Sequence, residues 1–183
     1  MCKEYTIKDK DFDKIRNFVH KRKQDNELYK KRGGFKDIDL WTGALGEVGA
    51  YYYLKDKGLD VNYPDFEIYD QKSKSYDADI RSNSKFFHIK AQNLESQKRY
   101  GDSYLLQRYD KIVRKKIKNH YLIFCRVDVD KREVTILGTP SVSSIHNNDL
   151  WDECKYYLFR ATKVALYLKD IKEKLKGSQL WRI

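Results

Sequence analysis

Proline is almost missing from this chain, at 2 of 183 residues, and there are only 3 cysteines. Scarce proline beside abundant lysine and tyrosine is the composition that AT-rich genomes tend to give. The cysteines Cys2, Cys125 and Cys154 are odd in number and far apart. Without a C-x-x-C pair, neither an iron–sulfur cluster nor a zinc ribbon is supported. Cys125 lies in an apolar run and reads as a core residue, and a reducing cytoplasm is the expected compartment. The opening stretch MCKEYTIKDK has no apolar signal core, and no run approaches the length that crosses a membrane. There is no internal repeat, Walker loop, G-x-G-x-x-G or H-E-x-x-H, so nothing supports a kinase, an oxidoreductase or a protease.

What the chain does have is charge. Lys and Arg number 38 against 27 Asp and Glu, a net +11, while hydrophobic residues make up 40 %. That balance describes a globular domain with an anionic partner, nucleic acid first and an anionic membrane surface second. A lysine-rich proteome would give the same charge with no partner at all.

The most informative stretch is Tyr76–Gln92, YDADIRSNSKFFHIKAQ. Ser82-Asn83-Ser84-Lys85 is a turn cluster between two runs of strand character, which predicts a β-hairpin. With the turn centred between Asn83 and Ser84, Asp79 opposes His88 and Asp77 opposes Lys90. Strand side chains alternate between faces, so Asp77, Asp79, His88 and Lys90 share one face. Ala78, Ile80, Phe87, Ile89 and Ala91 share the other, a core face. Two carboxylates, an imidazole and an ammonium on rigid strands suit metal-dependent phosphodiester hydrolysis. A carboxylate anchors a hard cation, and a lysine holds the attacking water or the phosphate charge. A solvated hairpin with a charged outer face is the alternative. A one-residue slip in register would scatter the group.

Read as D-x(8)-H-x-K and preceded by a helix carrying Gly46-Glu47-Val48-Gly49-Ala50, the stretch resembles the PD-(D/E)xK nuclease superfamily. That group includes restriction endonucleases, junction resolvases and phage exonucleases. The resemblance spans roughly Leu40 to Gly138. It implies that Asp79 matches the motif Asp, Lys90 the motif Lys, and Glu47 the helical Glu that many members carry. His88 stands where the family usually has Asp or Glu. An imidazole is a softer donor than a carboxylate oxygen and suits Mg²⁺ less well. The literal Pro64-Asp65 lies far from His88 and reads as a loop.

Elsewhere, an apolar stripe of Phe12, Ile15, Phe18 and Val19 predicts a helix over Asp9–Arg32, ended by Gly33-Gly34. A second helix is expected over Trp41–Lys57, closed by Gly58. Its small residues Gly43, Ala44, Gly46, Gly49 and Ala50 predict close approach to a sheet, at a propensity cost of up to about 1 kcal/mol per glycine. Asp60–Tyr63 and Phe66–Tyr69 are strand candidates. Gln92–Asp102 reads as a loop near the site, with Gln92 continuing the His88–Lys90 face. Asp102–Lys118 reads as a third helix, its Arg114, Lys115 and Lys118 within the densest positive patch. Tyr121–Val127 is an apolar, central strand and Glu133–Leu137 another. Gly138–Asn148 reads as a loop, and Asp149–Lys176 as helical.

This order predicts one α/β domain over residues 1–183, with a mixed β-sheet flanked by helices. The resemblance makes it a restriction-endonuclease-like core over about residues 40–138, with helical additions at both ends. It implies a cytoplasmic DNA endonuclease using Mg²⁺ or Mn²⁺, acting on duplex or branched DNA, with a homodimer open to it and no membrane partner. Asp79 is the expected principal metal ligand and Glu47 a second. His88 is a ligand or water-orienting group, Asp77 a reserve ligand, and Lys90 the group that stabilises charge. Gln92, Arg114, Lys115 and Lys118 are the expected nucleic-acid contacts. A catalytically degenerate DNA-binding module and an RNA-directed nuclease are the competing expectations.

Overall fold

The computed structural model describes residues 2–24, 37–67, 78–175, 177 and 179–181. Helix α1, Asp9–Gln24, starts with Asp9 and Asp11 in its first turn and ends with Lys21, Arg22 and Lys23 in its last. Both ends therefore complement the helix dipole. Its stripe buries Ile15 and Val19, and Phe12 stacks on Trp41 with ring centroids 5.2 Å apart. The expected continuation to Arg32 and the Gly33-Gly34 stop lie outside the described residues.

Helix α2, Asp37–Asp56, buries residues around most of its circumference. It is sandwiched between α1 and a sheet, and its glycines explain how. A Cβ at Gly46 would lie 2.6 Å from the Ala91 Cβ, and one at Gly49 would lie 2.5 Å from the Val134 Cβ. The helix can reach the sheet this closely only where side chains are missing, so the propensity cost of glycine is offset by packing.

That sheet has five strands in the order β1-β6-β5-β3-β2. They are β1 (Lys3–Thr6), β2 (Ile80–Ser82), β3 (Lys85–Asn93), β5 (His120–Asp128) and β6 (Glu133–Gly138). β3 and β5 run parallel, and the other neighbours are antiparallel, so the sheet is mixed. The hairpin forms in the expected register, with Ile80 opposite Phe87 and Ser82 opposite Lys85. Asn83 takes the left-handed conformation at φ 46°, which asparagine tolerates better than most residues.

The second half departs from the expected helices. Asp102–Lys118 is not one helix: Ser103–Gln107 is strand β4, and a single helical turn, α4, covers Lys111–Arg114. Asp149–Lys176 is not mainly helical either. It holds β7 (Asp152–Glu153), a 3-10 turn at Tyr157–Phe159, β8 (Lys163–Tyr167) and α6 (Leu168–Lys174). β4, β8 and β7 form an antiparallel three-stranded sheet with β8 in the middle. The expected loops on either side of β5 contain α3 (Leu94–Tyr100) and α5 (Val142–Asn147), capped by the Asn93 and Ser141 side chains. Of the strand candidates before the hairpin, Asp60–Tyr63 is irregular, and residues 68 and 69 lie outside the described residues.

Two cores result, one on each face of the large sheet. α1 and α2 cover Ile80, Phe87, Ile89, Ile123, Cys125, Val134 and Ile136. The small sheet and helices α4, α5 and α6 cover Leu122, Phe124 and Leu137. The face expected to meet solvent is therefore covered over part of its area. No described helix is long and apolar enough to cross a membrane.

Candidate functional site

Strand β3 positions the site. Its alternation puts Phe87, Ile89 and Ala91 toward α2, and His88, Lys90 and Gln92 toward the small sheet. β5, in parallel register, sets His120 beside Phe86, Leu122 beside His88, Phe124 beside Lys90 and Arg126 beside Gln92.

Asp79 sits just before β2, opposite His88. Its Oδ2 accepts the backbone N–H of Ile89 at 2.7 Å. The carboxylate thus takes the place of a ladder bond where β2 starts to leave β3. A hydrogen bond to a charged acceptor is stronger than a neutral one and restrains the orientation of the carboxylate.

His88 is buried, with 7 % exposure. Its Nε2 lies 2.9 Å from Nδ1 of His120, so one nitrogen donates and the other accepts. The rings are nearly coplanar, and the His120 ring stacks on Phe86 with centroids 4.7 Å apart. Sequence reasoning missed His120. Its signal was weak, a single histidine opening the apolar β5 run, and only the parallel register brings it to His88. Lys90 follows on the same face and is partly exposed.

Gln92 is buried at 8 % exposure and braces the fold. Its Nε2 donates to the Gly101 carbonyl at 3.0 Å, and its Oε1 accepts the Ser103 N–H at 3.2 Å. Both ends of the amide hold the start of β4, an arrangement unlike the solvent-facing contact expected. Next to it Arg126 forks onto Asp102, with Nη2 2.8 and 2.7 Å from the two oxygens. Beyond the brace, Tyr100, Tyr156, Tyr157 and Phe159 expose their rings.

Glu47 belongs to the turn of α2 whose Gly46 touches Ala91, over the face opposite to that of Lys90. Its charge reaches Cys125. Burial first, and Glu47 second, push that thiol far above its ordinary value, so Cys125 is a core group as expected. The structure brings Asp79 to the His88–Lys90 segment and adds His120. It sets Glu47 on the other side of β3. Asp77 lies outside the described residues. Arg114, Lys115 and Lys118 are exposed at and after α4, in a turn and loop instead of along a helix. Among the described residues, no three His, Cys, Asp or Glu side chains gather as a metal cage.

A second polar cluster lies on the α1 side. The Asp11 carboxylate accepts the Tyr52 hydroxyl at 2.6 Å and the Tyr63 hydroxyl at 2.8 Å, with Lys14 at 3.3 Å. Burial alone would raise its pKa, but these donors outweigh burial and hold it below the ordinary value. The cluster ties the segment after α2 to α1 and is structural.

No family model matches the chain, and no curated protein or solved structure matches it.

Proposed function

We propose that this chain is a metal-dependent deoxyribonuclease of the PD-(D/E)xK type, with a restriction-endonuclease-like core. The order α2, β2, β3, crossover, parallel β5 is the order that the resemblance implies. The observation that carries the reading is the Asp79–Ile89 bond, which pins the motif aspartate to the strand bearing His88 and Lys90.

The described donors, one carboxylate and one imidazole, fit a divalent cation whose remaining positions are filled by water and substrate phosphate. They do not fit an all-protein cage. Asp79 would hold the ion with His88 beside it, while Glu47, across β3, is not part of this set. A divalent ion, when bound, offsets phosphate charge and acidifies water. Lys90 supplies the fixed positive charge that stabilises the pentavalent phosphate. His120 orients the His88 ring through the Nε2–Nδ1 bond and selects its tautomer. Arg114, Lys115 and Lys118 contact phosphates without reading sequence.

The test is a cleavage assay on duplex, nicked, branched and single-stranded DNA with Mg²⁺, Mn²⁺ or chelator. Metal-dependent cleavage that Lys90→Ala abolishes supports the reading. Failure to cleave any of them with either metal removes it.

One observation favours a second reading, a DNA-binding module that has lost catalysis. His88 occupies the family's carboxylate position, is buried, and has its Nε2 engaged by His120. In that case the same face of β3 binds DNA without hydrolysing it.

A further inference from the structure

We infer that the exposed aromatic cluster at the end of β3 is a base-stacking platform for single-stranded DNA. The inference rests on the nuclease reading for its choice of DNA, and it narrows the substrate to one with unpaired bases.

Three elements contribute. Tyr100 ends α3, Tyr156 follows β7, and Tyr157 and Phe159 form the 3-10 turn that leads into β8. Tyr156 is the hub, with ring centroids 6.2 Å from Tyr100, 5.6 Å from Tyr157 and 5.2 Å from Phe159. Exposure is 46 % for Tyr100 and 69 % for Tyr157, with Leu158 between the rings at 57 %. Rings this exposed leave much of their apolar surface in water, available to a partner. Their backbone is nevertheless fixed. The Lys155 N–H donates to the Tyr167 hydroxyl at 2.9 Å, Arg160 Nε to the Cys154 carbonyl at 3.2 Å, and Arg108 Nη2 to the Arg160 carbonyl at 2.8 Å. A pinned loop that displays aromatic rings loses little entropy on binding.

The charge around the rings selects the occupant. The Arg99 guanidinium lies 5.9 Å from the Tyr100 centroid, and the Lys163 ammonium 4.3 Å from that of Phe159. Lys155 and Arg160 are exposed in the same loop. Cations beside exposed π-faces meet the two parts of a single-stranded nucleotide, its base and its phosphate. A duplex keeps its bases stacked internally and offers only the phosphate.

The place matters as well. Tyr100 adjoins Gly101, whose carbonyl is held by Gln92, and Gln92 is two residues beyond Lys90 on the same face of β3. At a strand rise of about 3.3 Å per residue, Gln92 is about 7 Å past Lys90. The platform thus begins within a few nucleotides of the proposed scissile position.

The test is fluorescence anisotropy in chelator with labelled oligothymidylate, a duplex of equal length and oligouridylate. The variants are Tyr100→Ala/Tyr157→Ala and Tyr100→Phe/Tyr157→Phe, with thermal melts as a folding check. Wild type binds oligothymidylate more tightly than either competitor. The alanine pair weakens that binding by about tenfold per stacked ring, and the phenylalanine pair stays within about twofold. Unchanged oligothymidylate binding by a folded alanine pair overturns the inference, as does tighter binding of duplex or oligouridylate. So does a wild-type dimer in sedimentation that the alanine pair dissolves, because the patch then covers a second copy. Ring-dependent binding without cleavage by any metal leaves the platform standing and removes the nuclease reading. Metal-dependent cleavage with ring-independent binding does the reverse.

Discussion

Asp79 and Ile89 are joined by a carboxylate-to-backbone hydrogen bond of 2.7 Å at the point where β2 and β3 separate. The side chain proposed to hold a metal therefore also closes the hairpin, and the two roles separate by mutation. Asp79→Asn keeps an oxygen for the Ile89 N–H but loses the charge. Asp79→Ala loses both and leaves a strand N–H without its partner. Asp79→Asn should abolish cleavage with a melting temperature near wild type. Asp79→Ala should abolish cleavage and also lower stability by about 1–2 kcal/mol. Parallel nuclease assays and denaturant titrations check both, and an active Asp79→Asn would remove Asp79 from the site.

His88 and His120 give the second prediction. The pair needs one donor and one acceptor nitrogen, and His120 has a stacked Phe86 behind it. His120→Ala should cut the cleavage rate at saturating DNA while leaving affinity within about twofold, because it acts through His88 and touches no phosphate. His120→Gln, able to accept or donate, should recover part of the loss. His88→Ala should be impaired with both Mg²⁺ and Mn²⁺, and wild-type Mn²⁺ activity should at least equal Mg²⁺ activity, since Mn²⁺ accepts an imidazole nitrogen more readily than Mg²⁺ does. An unimpaired His88→Ala with both metals would make the pair a packing feature.

The hairpin register and the close approach of α2 were legible in the sequence because both are local. Ser82-Asn83-Ser84-Lys85 allows few turns, period-two alternation fixes the faces, and small residues on one helix announce a near neighbour. The small sheet was not legible. Leu105, Leu106, Tyr109, Ile112, Val113 and Ile117 imitate a helical stripe, while β4 is set by pairing with the distant β8. The run Val164-Ala165-Leu166-Tyr167 fits a helix core equally well until β4 is beside it. Hidden with that sheet was the cover over the Lys90 face, and hence the buried state of His88 and Gln92. Parallel pairing to β5 was likewise needed to find His120.

The glycine contacts predict large losses for the smallest possible insertions. Gly49→Ala drives a methyl into the Val134 Cβ and both of its methyl groups, and Gly46→Ala drives one into the Ala91 Cβ. These neighbours are short, with no flexible end to yield. Despite alanine's better helix propensity, each change should destabilise by about 1–3 kcal/mol in urea unfolding. Gly43, with no heavy atom within 4 Å of its would-be Cβ, is the control, and Gly43→Ala should be neutral or stabilising by up to about 1 kcal/mol.

Acid should expose the Asp11 cluster. The folded pKa of Asp11 lies below its ordinary value, because the Tyr52, Tyr63 and Lys14 donors outweigh burial. A depressed carboxylate contributes stability above its unfolded pKa, about 3.9, and loses it as pH falls through the lower folded value. Wild type should therefore exceed Asp11→Asn in stability at pH 6, and the difference should shrink once the pH drops below about 4. At the opposite end, burial and the Asp11 bond raise Tyr63 far above the ordinary tyrosine value. The folded state then holds that proton more tightly, so its contribution is intact below pH about 10 and is lost as the pH rises further. Tyr63→Phe removes one donor from a carboxylate and should cost about 1.5–3 kcal/mol at neutral pH. Because Tyr63 then no longer titrates, the alkaline loss should also be smaller in the variant. Urea midpoints for the three proteins across pH 2–11 give the comparison, and curves that stay parallel at both ends would show that Asp11 and Tyr63 do not titrate as a linked pair.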